Sequence, residues 1–102
     1  MYEQIAENEL EAILEKTRKM LGIAPEDYEV VKMNEILGKC VNGKIIINPE
    51  LMQYRKEVIE YVVAHEFCHL KYKTHGKRFY QLIEKHIPEY KKYEREIQSY
   101  EY

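Results

Sequence analysis

Residues 65 to 69 of this 102-residue chain read His65-Glu66-Phe67-Cys68-His69, an H-E-x-x-H pentapeptide. The apolar residues around it recur at three- and four-residue steps, which predicts a helix from about Lys56 to Lys73. On a helix, His69 lies about 40° around from His65 and one turn along, so both imidazoles can reach one metal ion. Glu66 lies about 60° beyond His69, where its carboxylate can hold and deprotonate a water beside the ion. The pattern predicts a zinc site with Glu66 as its catalytic base.

A catalytic zinc site needs a third protein ligand and keeps one position for water. Two histidines outside the motif are candidates, His75 and His86. His75 precedes Gly76, where the helix has turned, so its ring can swing back over the metal; the alternative is a solvated helix cap. His86 lies about 16 Å further along a straight helix, beyond the reach of the same ion. We therefore predict one zinc per chain, with three ligands: His65, His69 and His75.

The motif also has a plainer interpretation, in which its histidines are two partly buried polar residues on a helix flank. Isolated H-E-x-x-H matches are often false, so the surrounding structure has to agree. The cysteines, Cys40 and Cys68, are too few for a disulfide framework. Cys68 points away from the two ligands and is expected in the core, and Cys40 is expected to pack from a strand.

The rest of the chain predicts an α+β fold in a single domain, residues 1–102. An amphipathic stripe from Ile5 to Leu21 predicts an N-terminal helix. Two β-rich segments follow, and Asn42-Gly43 favours a type I′ hairpin into Lys44–Ile47, so we expect a sheet of about three strands with antiparallel pairing. Further signals predict a helix start at Asn48-Pro49, a helix from Lys77 to Ile87, and a last helix or arm over residues 89–102. The two β-rich segments are Tyr28–Met33 and Ile36–Val41.

Composition narrows the class of protein. The formal net charge is −2, which gives no general affinity for nucleic acid or for acidic membranes. Apolar runs are too short for a membrane span, and the first residues lack the basic and apolar parts of a signal peptide. We expect a cytoplasmic protein that acts without a membrane, with nucleic acid disfavoured as a partner.

The chain resembles YgjP-like and SprT-like metallopeptidases and their short relatives, the minigluzincins. The stretch from His65 to His75 reads H-E-x-x-H-x5-H, followed by Gly-Lys-Arg-Phe-Tyr, and the likeness extends over roughly residues 10 to 95. It includes residues 43–48, residues 58–64 and Ile87-Pro88-Glu89-Tyr90, in order and spacing. The resemblance implies a minimal zincin fold, the three histidine ligands named above, and Glu66 as general base.

Two features separate this chain from related patterns. Metzincins share the ligand spacing, but they carry Gly where this chain has Tyr72, and no Met follows His75 to supply a Met-turn. A metzincin is therefore disfavoured. YgjP-like chains carry Trp-Gly-Ser-Cys before the hairpin, where this chain has Leu37-Gly38-Lys39-Cys40.

The leading hypothesis is a zinc metallopeptidase that hydrolyses a peptide or protein substrate, bound along an exposed edge strand such as Lys44 to Asn48. The alternatives are a DNA-associated SprT-like zincin and a catalytically silent zinc protein. Residues 91–102 follow every element that the zinc site needs and are rich in carboxylates and tyrosines. Resemblance implies that such a C-terminal segment keeps minigluzincins latent. We expect an autoinhibitory tail, in a monomer or in a tail-exchanged dimer.

Overall fold

The structure is a computed structural model that describes residues 2–34 and 36–97, with side chains from residue 9 onward. Position 5 of the predicted stripe therefore has no described side chain, and residues 98–102 of the predicted tail lie outside the described part. Within the described ranges, no helix is both long and apolar enough to cross a bilayer. The elements in chain order are α1 (Tyr2–Leu21), β1 (Asp27–Val30), β2 (Gly38–Val41), β3 (Lys44–Ile47), a 3-10 helix (Pro49–Gln53), α2 (Lys56–Lys71), α3 (Lys77–His86) and α4 (Tyr90–Glu96).

The three strands form a mixed sheet in the order β1-β3-β2. β2 and β3 are antiparallel neighbours joined by Asn42 and Gly43, whose φ angles of 51° and 80° are of the sign that a type I′ turn requires. β1 pairs with β3 in parallel. The prediction that Lys44 to Asn48 offers an exposed edge is wrong, because β3 is the central strand. The two edge strands are β1 and β2, which the sequence does not reveal because the pairing of β1 is non-local.

Asn48 fixes the passage from the sheet into the helical half, as its predicted role of helix cap requires. Its Oδ1 accepts a hydrogen bond from the Glu50 N–H at 3.0 Å. Its Nδ2 donates to the carbonyls of Met33 and Ile36, both at 2.8 Å, and the side chain is fully buried. One amide therefore satisfies three backbone groups and ties the loop before β2 to the start of the 3-10 helix.

α2 lies at the centre of the molecule and packs against α1, α3, α4, β2 and β3. Ten of its sixteen residues are buried, which is more than one amphipathic face can hold. Tyr61 is fully buried, while Leu70, predicted on the buried stripe, is only partly covered. The core also takes side chains from every other helix and from the sheet, including Leu10, Ile13, Ile45, Ile47, Phe79, Ile83 and Ile97.

Of the two predicted alternatives for the start of the C-terminal segment, a helix or an extended arm, the structure has the helix, α4. Its anchor is an ion pair in which Arg55 Nε and Nη2 donate to the two carboxylate oxygens of Glu96 at 2.9 and 2.6 Å. The residue after the helix, Ile97, is fully buried. The described part of the C-terminal segment is therefore part of the folded domain.

Candidate metal centre

α2 and the turn that follows it bring three histidines together. His65 and His69 lie one turn apart on α2, and the helix ends at Lys71, where the Tyr72 N–H donates to the Cys68 carbonyl. The chain then reverses through residues 72–76 into α3, and His75 returns toward the first two rings. The ligand nitrogens of the three histidines all lie within 4.8 Å of one another.

The three histidine rings approach one another through the same atom, Nε2. His75 Nε2 lies 2.9 Å from His69 Nε2 and 3.3 Å from His65 Nε2. His65 is buried, His69 is partly buried and His75 is exposed, so the cluster runs from the core to the surface. Among the described residues, this is the one cluster of histidine, cysteine or carboxylate side chains with metal-binding spacing. His86, at the end of α3, is outside it, as the helix geometry predicts.

The hydrogen bond of its Nδ1 atom determines the tautomer of His69. Nδ1 lies 3.1 Å from the Tyr72 carbonyl oxygen, which can only accept, so Nδ1 carries the proton and donates. Nε2 is then left with its lone pair directed at the other two histidines. Burial lowers the pKa of His69, which favours the neutral, ligating form.

One phenylalanine supports all three imidazoles. The ring centroid of Phe79, on α3, lies 5.0 Å from that of His65, 4.6 Å from that of His69 and 5.0 Å from that of His75. Phe79 is fully buried. The sequence places Phe79 in the core but does not show that it touches the site, since its position depends on how α3 folds back. Its four-residue distance from His75 is the only local signal.

Glu66 lies beside the histidines and is almost fully buried, with 1% of its surface exposed. Burial raises the pKa of Glu66 to about 8. Within residues 9–34 and 36–97, no group forms a hydrogen bond with its buried Oε2. A carboxyl group in this state is well placed to exchange a proton near neutral pH.

A cleft of about 720 Å³ lies between β2 and the C-terminal half of α2. Glu66 and His69 line its helical side, and residues 39–43 of β2 and the hairpin turn line the opposite side. Cys40 contributes to this lining, and burial is the main cause that raises the pKa of its thiol. Cys68 is a fully buried core residue, as expected, and burial raises its pKa to about 12.

Tyr61 connects the first histidine to α4, a link that the sequence did not predict. The Tyr61 ring packs edge-on against His65, with centroids 5.9 Å apart, and its hydroxyl donates to Glu94 at 3.4 Å. Tyr61 is one helical turn before His65, so their contact has a local signal. Its partner on α4 is 33 residues away and has none.

A comparison of the sequence with known protein families agrees with this arrangement of histidines and carboxyl group. The sequence model of the family described as YgjP-like, metallopeptidase domain, matches residues 1–100. The chain belongs to the YgjP-like metallopeptidase family. The predicted resemblance and the assignment as a peptide-bond hydrolase are thereby confirmed, and membership in this YgjP-like family implies a catalytic metal.

Two solved structures are similar to this YgjP-like chain. One is the crystal structure of the metallopeptidase zymogen abylysin of Pyrococcus abyssi, with a TM-score of 0.76 and 26% identity over 85% of this chain and 90% of that one. The other is the metallopeptidase zymogen jannalysin of Methanocaldococcus jannaschii, with a TM-score of 0.75 and 20% identity over 85% and 91%. Both support the predicted minimal α+β zincin fold. No curated protein matches the chain.

Proposed function

We propose that this chain is a zinc-dependent endopeptidase that binds one zinc through the Nε2 atoms of His65, His69 and His75. The observation that supports this most directly is the convergence of the three nitrogens on one point. Two ligands bound at about 2.0 to 2.1 Å in tetrahedral geometry are separated by about 3.3 to 3.4 Å. The observed separations of 2.9 and 3.3 Å are close to this value, so the three side chains fit zinc with little rearrangement.

The set of donors agrees with a catalytic site. Three histidines leave one tetrahedral position open, whereas a structural zinc site is closed by four protein ligands. Neither cysteine lies within the cluster. When bound, zinc supplies a Lewis acid that polarises the scissile carbonyl and makes water more acidic.

Glu66 is proposed as the general base. Its carboxylate takes the proton of the attacking water and passes it to the leaving amine, so that one residue serves both proton transfers. A bound cation would favour the charged form of this carboxylate and bring its pKa down from about 8. The burial of Glu66 also keeps bulk water from competing for the proton.

The substrate is proposed to bind as an extended peptide along β2. β2 lies at the edge of the sheet and lines the cleft opposite Glu66 and His69. In a two-residue hairpin, Val41 and Lys44 form a hydrogen-bonded pair, so the backbone groups of Cys40 point away from β3. These groups can pair with a peptide that adds a strand to the sheet.

The central test combines metal analysis with a change at Glu66. Protein purified without chelator, or refolded with zinc, is expected to hold one zinc per chain. Glu66→Gln should keep this zinc and lose at least about 100-fold in peptide hydrolysis, because the base is removed while the ligands stay. Turnover is measured with a fluorescent casein substrate.

The matched control is Glu57→Gln, the same chemical change on the exposed first turn of α2. It should leave zinc content and turnover unchanged. A zinc-free wild-type protein after refolding with zinc would rule out the metal site. Full turnover in Glu66→Gln would assign the base elsewhere.

We further propose that the C-terminal segment restrains the enzyme, as the zymogen state of the two similar proteins suggests. α4 contacts the site through the chain Glu94, Tyr61 and His65. The predicted boundary at residue 91 includes Ile97, which is fully buried. A shortened chain should therefore end after Ile97, since a cut after Tyr90 would remove part of the core.

Removal of residues 98–102 is expected to increase casein hydrolysis and the binding of a hydroxamate inhibitor severalfold, with zinc content unchanged. The control is a chain of full length in which Glu101 is replaced by Gln, which keeps the segment but removes a possible carboxylate ligand. Sedimentation of both proteins distinguishes a monomer from a tail-exchanged dimer. Equal inhibitor affinity in the shortened and full-length proteins would exclude autoinhibition by these residues.

A further inference from the structure

Gly38 is the first residue of β2 and lies directly against the proposed base. A Cβ atom at this position would stand 3.3 Å from Glu66 Cγ, 3.3 Å from Ile47 Cδ1 and 3.5 Å from the Ile46 carbonyl oxygen. The glycines with left-handed backbone are Gly22 and Gly43, so Gly38 is not required by its φ angle. Because Gly38 has no side chain, it leaves space for the aliphatic part of the Glu66 side chain.

The close packing of Gly38 and Glu66 matters because few other interactions fix the position of the Glu66 carboxyl group. Glu66 is 1% exposed, and its Oε2 has no hydrogen-bond partner among the described side chains and backbone groups. Packing of the side-chain stem therefore sets where the carboxyl oxygens stand. A general base must lie within hydrogen-bond reach of the proton that it removes, and a misplacement of about 1 Å can cost about 100-fold in rate.

We propose that Gly38 is a positioning residue for Glu66: the bare backbone at the start of β2 sets the depth of the base in the site. This inference rests on the proposed role of Glu66. It places the proposed substrate-binding strand next to the base, so that a shift of β2 toward Glu66 would move the carboxyl group.

Gly38→Ala is the first test. The added methyl group must displace the Glu66 stem by a few tenths of an ångström, because the 3.3 Å contact is tighter than ordinary packing. We expect kcat for casein to fall about tenfold with KM nearly unchanged, and zinc to remain at one per chain. Crystal structures of both proteins should show Glu66 displaced while the three Nε2 atoms keep their positions.

The second contact of the added methyl group, with Ile47, supplies an internal control. Ile47→Val removes Cδ1 and relieves this contact, so that Gly38→Ala combined with Ile47→Val folds even if the single variant does not. We expect kcat to stay low in the double variant. Recovery of kcat there would overturn the proposal, because it would assign the effect to core packing around Ile47.

Two more variants separate positioning from general damage. Gly22→Ala makes the same substitution where no other atom lies within 4 Å of the added methyl group, and it should keep kcat and zinc even if its φ of 69° costs some stability. Glu66→Gln removes the base but keeps the stem, so Gly38→Ala should cost less than twofold in that background. An undisplaced Glu66 in the crystal, or a further tenfold loss in the Glu66→Gln background, would contradict the proposal. Failure of the proposed function itself would appear separately, as wild-type protein without zinc or as unchanged turnover in Glu66→Gln.

Discussion

The cleft has a helical wall, formed by α2 and the turn after it, and a strand wall, formed by β2 and the hairpin turn. Glu66 and His69 line the helical wall, and Glu66 and the three clustered histidines lie within eleven residues of sequence. The strand wall supplies backbone groups and, at Gly38, the absence of a side chain. The proposed chemistry therefore depends on residues that are close in sequence, whereas the proposed recognition of substrate depends on which strand lies at the edge of the sheet.

The largest effect is expected at His75, the proposed zinc ligand that α2 does not carry. His75→Ala removes one of three nitrogens, and we expect zinc content to fall to a small fraction of one per chain after dialysis. His86→Ala is the matched control, since His86 lies outside the cluster. If His86→Ala lost zinc and His75→Ala kept it, the helical wall would have to include the end of α3.

A smaller effect is expected at Phe79, whose ring packs against the three proposed ligands. Phe79→Leu leaves the three rings less well fixed, and zinc affinity should fall about tenfold, as for other groups behind metal ligands. Competition with a chelator measures this. The control is Phe67→Leu, the same change at a fully buried ring on α2 that has no contact with the histidine cluster among the ring contacts of the described residues. Equal losses in both variants would indicate general destabilisation.

The smallest effect is expected on the strand wall. Cys40→Pro removes a backbone N–H that points away from β3, and the loss of one hydrogen bond to substrate should raise KM about fivefold. Cys40→Ala removes the thiol but keeps the N–H, so its KM should match the wild type. Lys39→Pro removes a donor within the β2–β3 ladder and should lower the melting temperature instead. If Cys40→Pro had no effect on KM, substrate would bind elsewhere.

The difference between the walls also explains what the sequence could and could not predict. Helical periodicity and the position of Gly76 were enough to assemble His65, His69 and His75, because the three are close in the chain. The edge strand was misassigned because the partner of β3 on its other side, β1, is about seventeen residues earlier and pairs in parallel. The contacts of Phe79 with His65 and His69, and the contact of Tyr61 with Glu94, depend on α3 and α4 folding back on α2, which no local pattern encodes.

The burial of α2 has a consequence for how the enzyme can be switched. Ten of its sixteen residues are buried and it packs against every other helix, so the hydrogen-bonded amide protons of its buried central turns should exchange with solvent only when the whole domain unfolds. Opening of the cleft by motion of this helix would therefore cost nearly the entire folding free energy. The strand wall has one free edge and can open at lower cost. A cellular factor that turns the enzyme on or off would accordingly have to act on the strand wall or on the C-terminal segment.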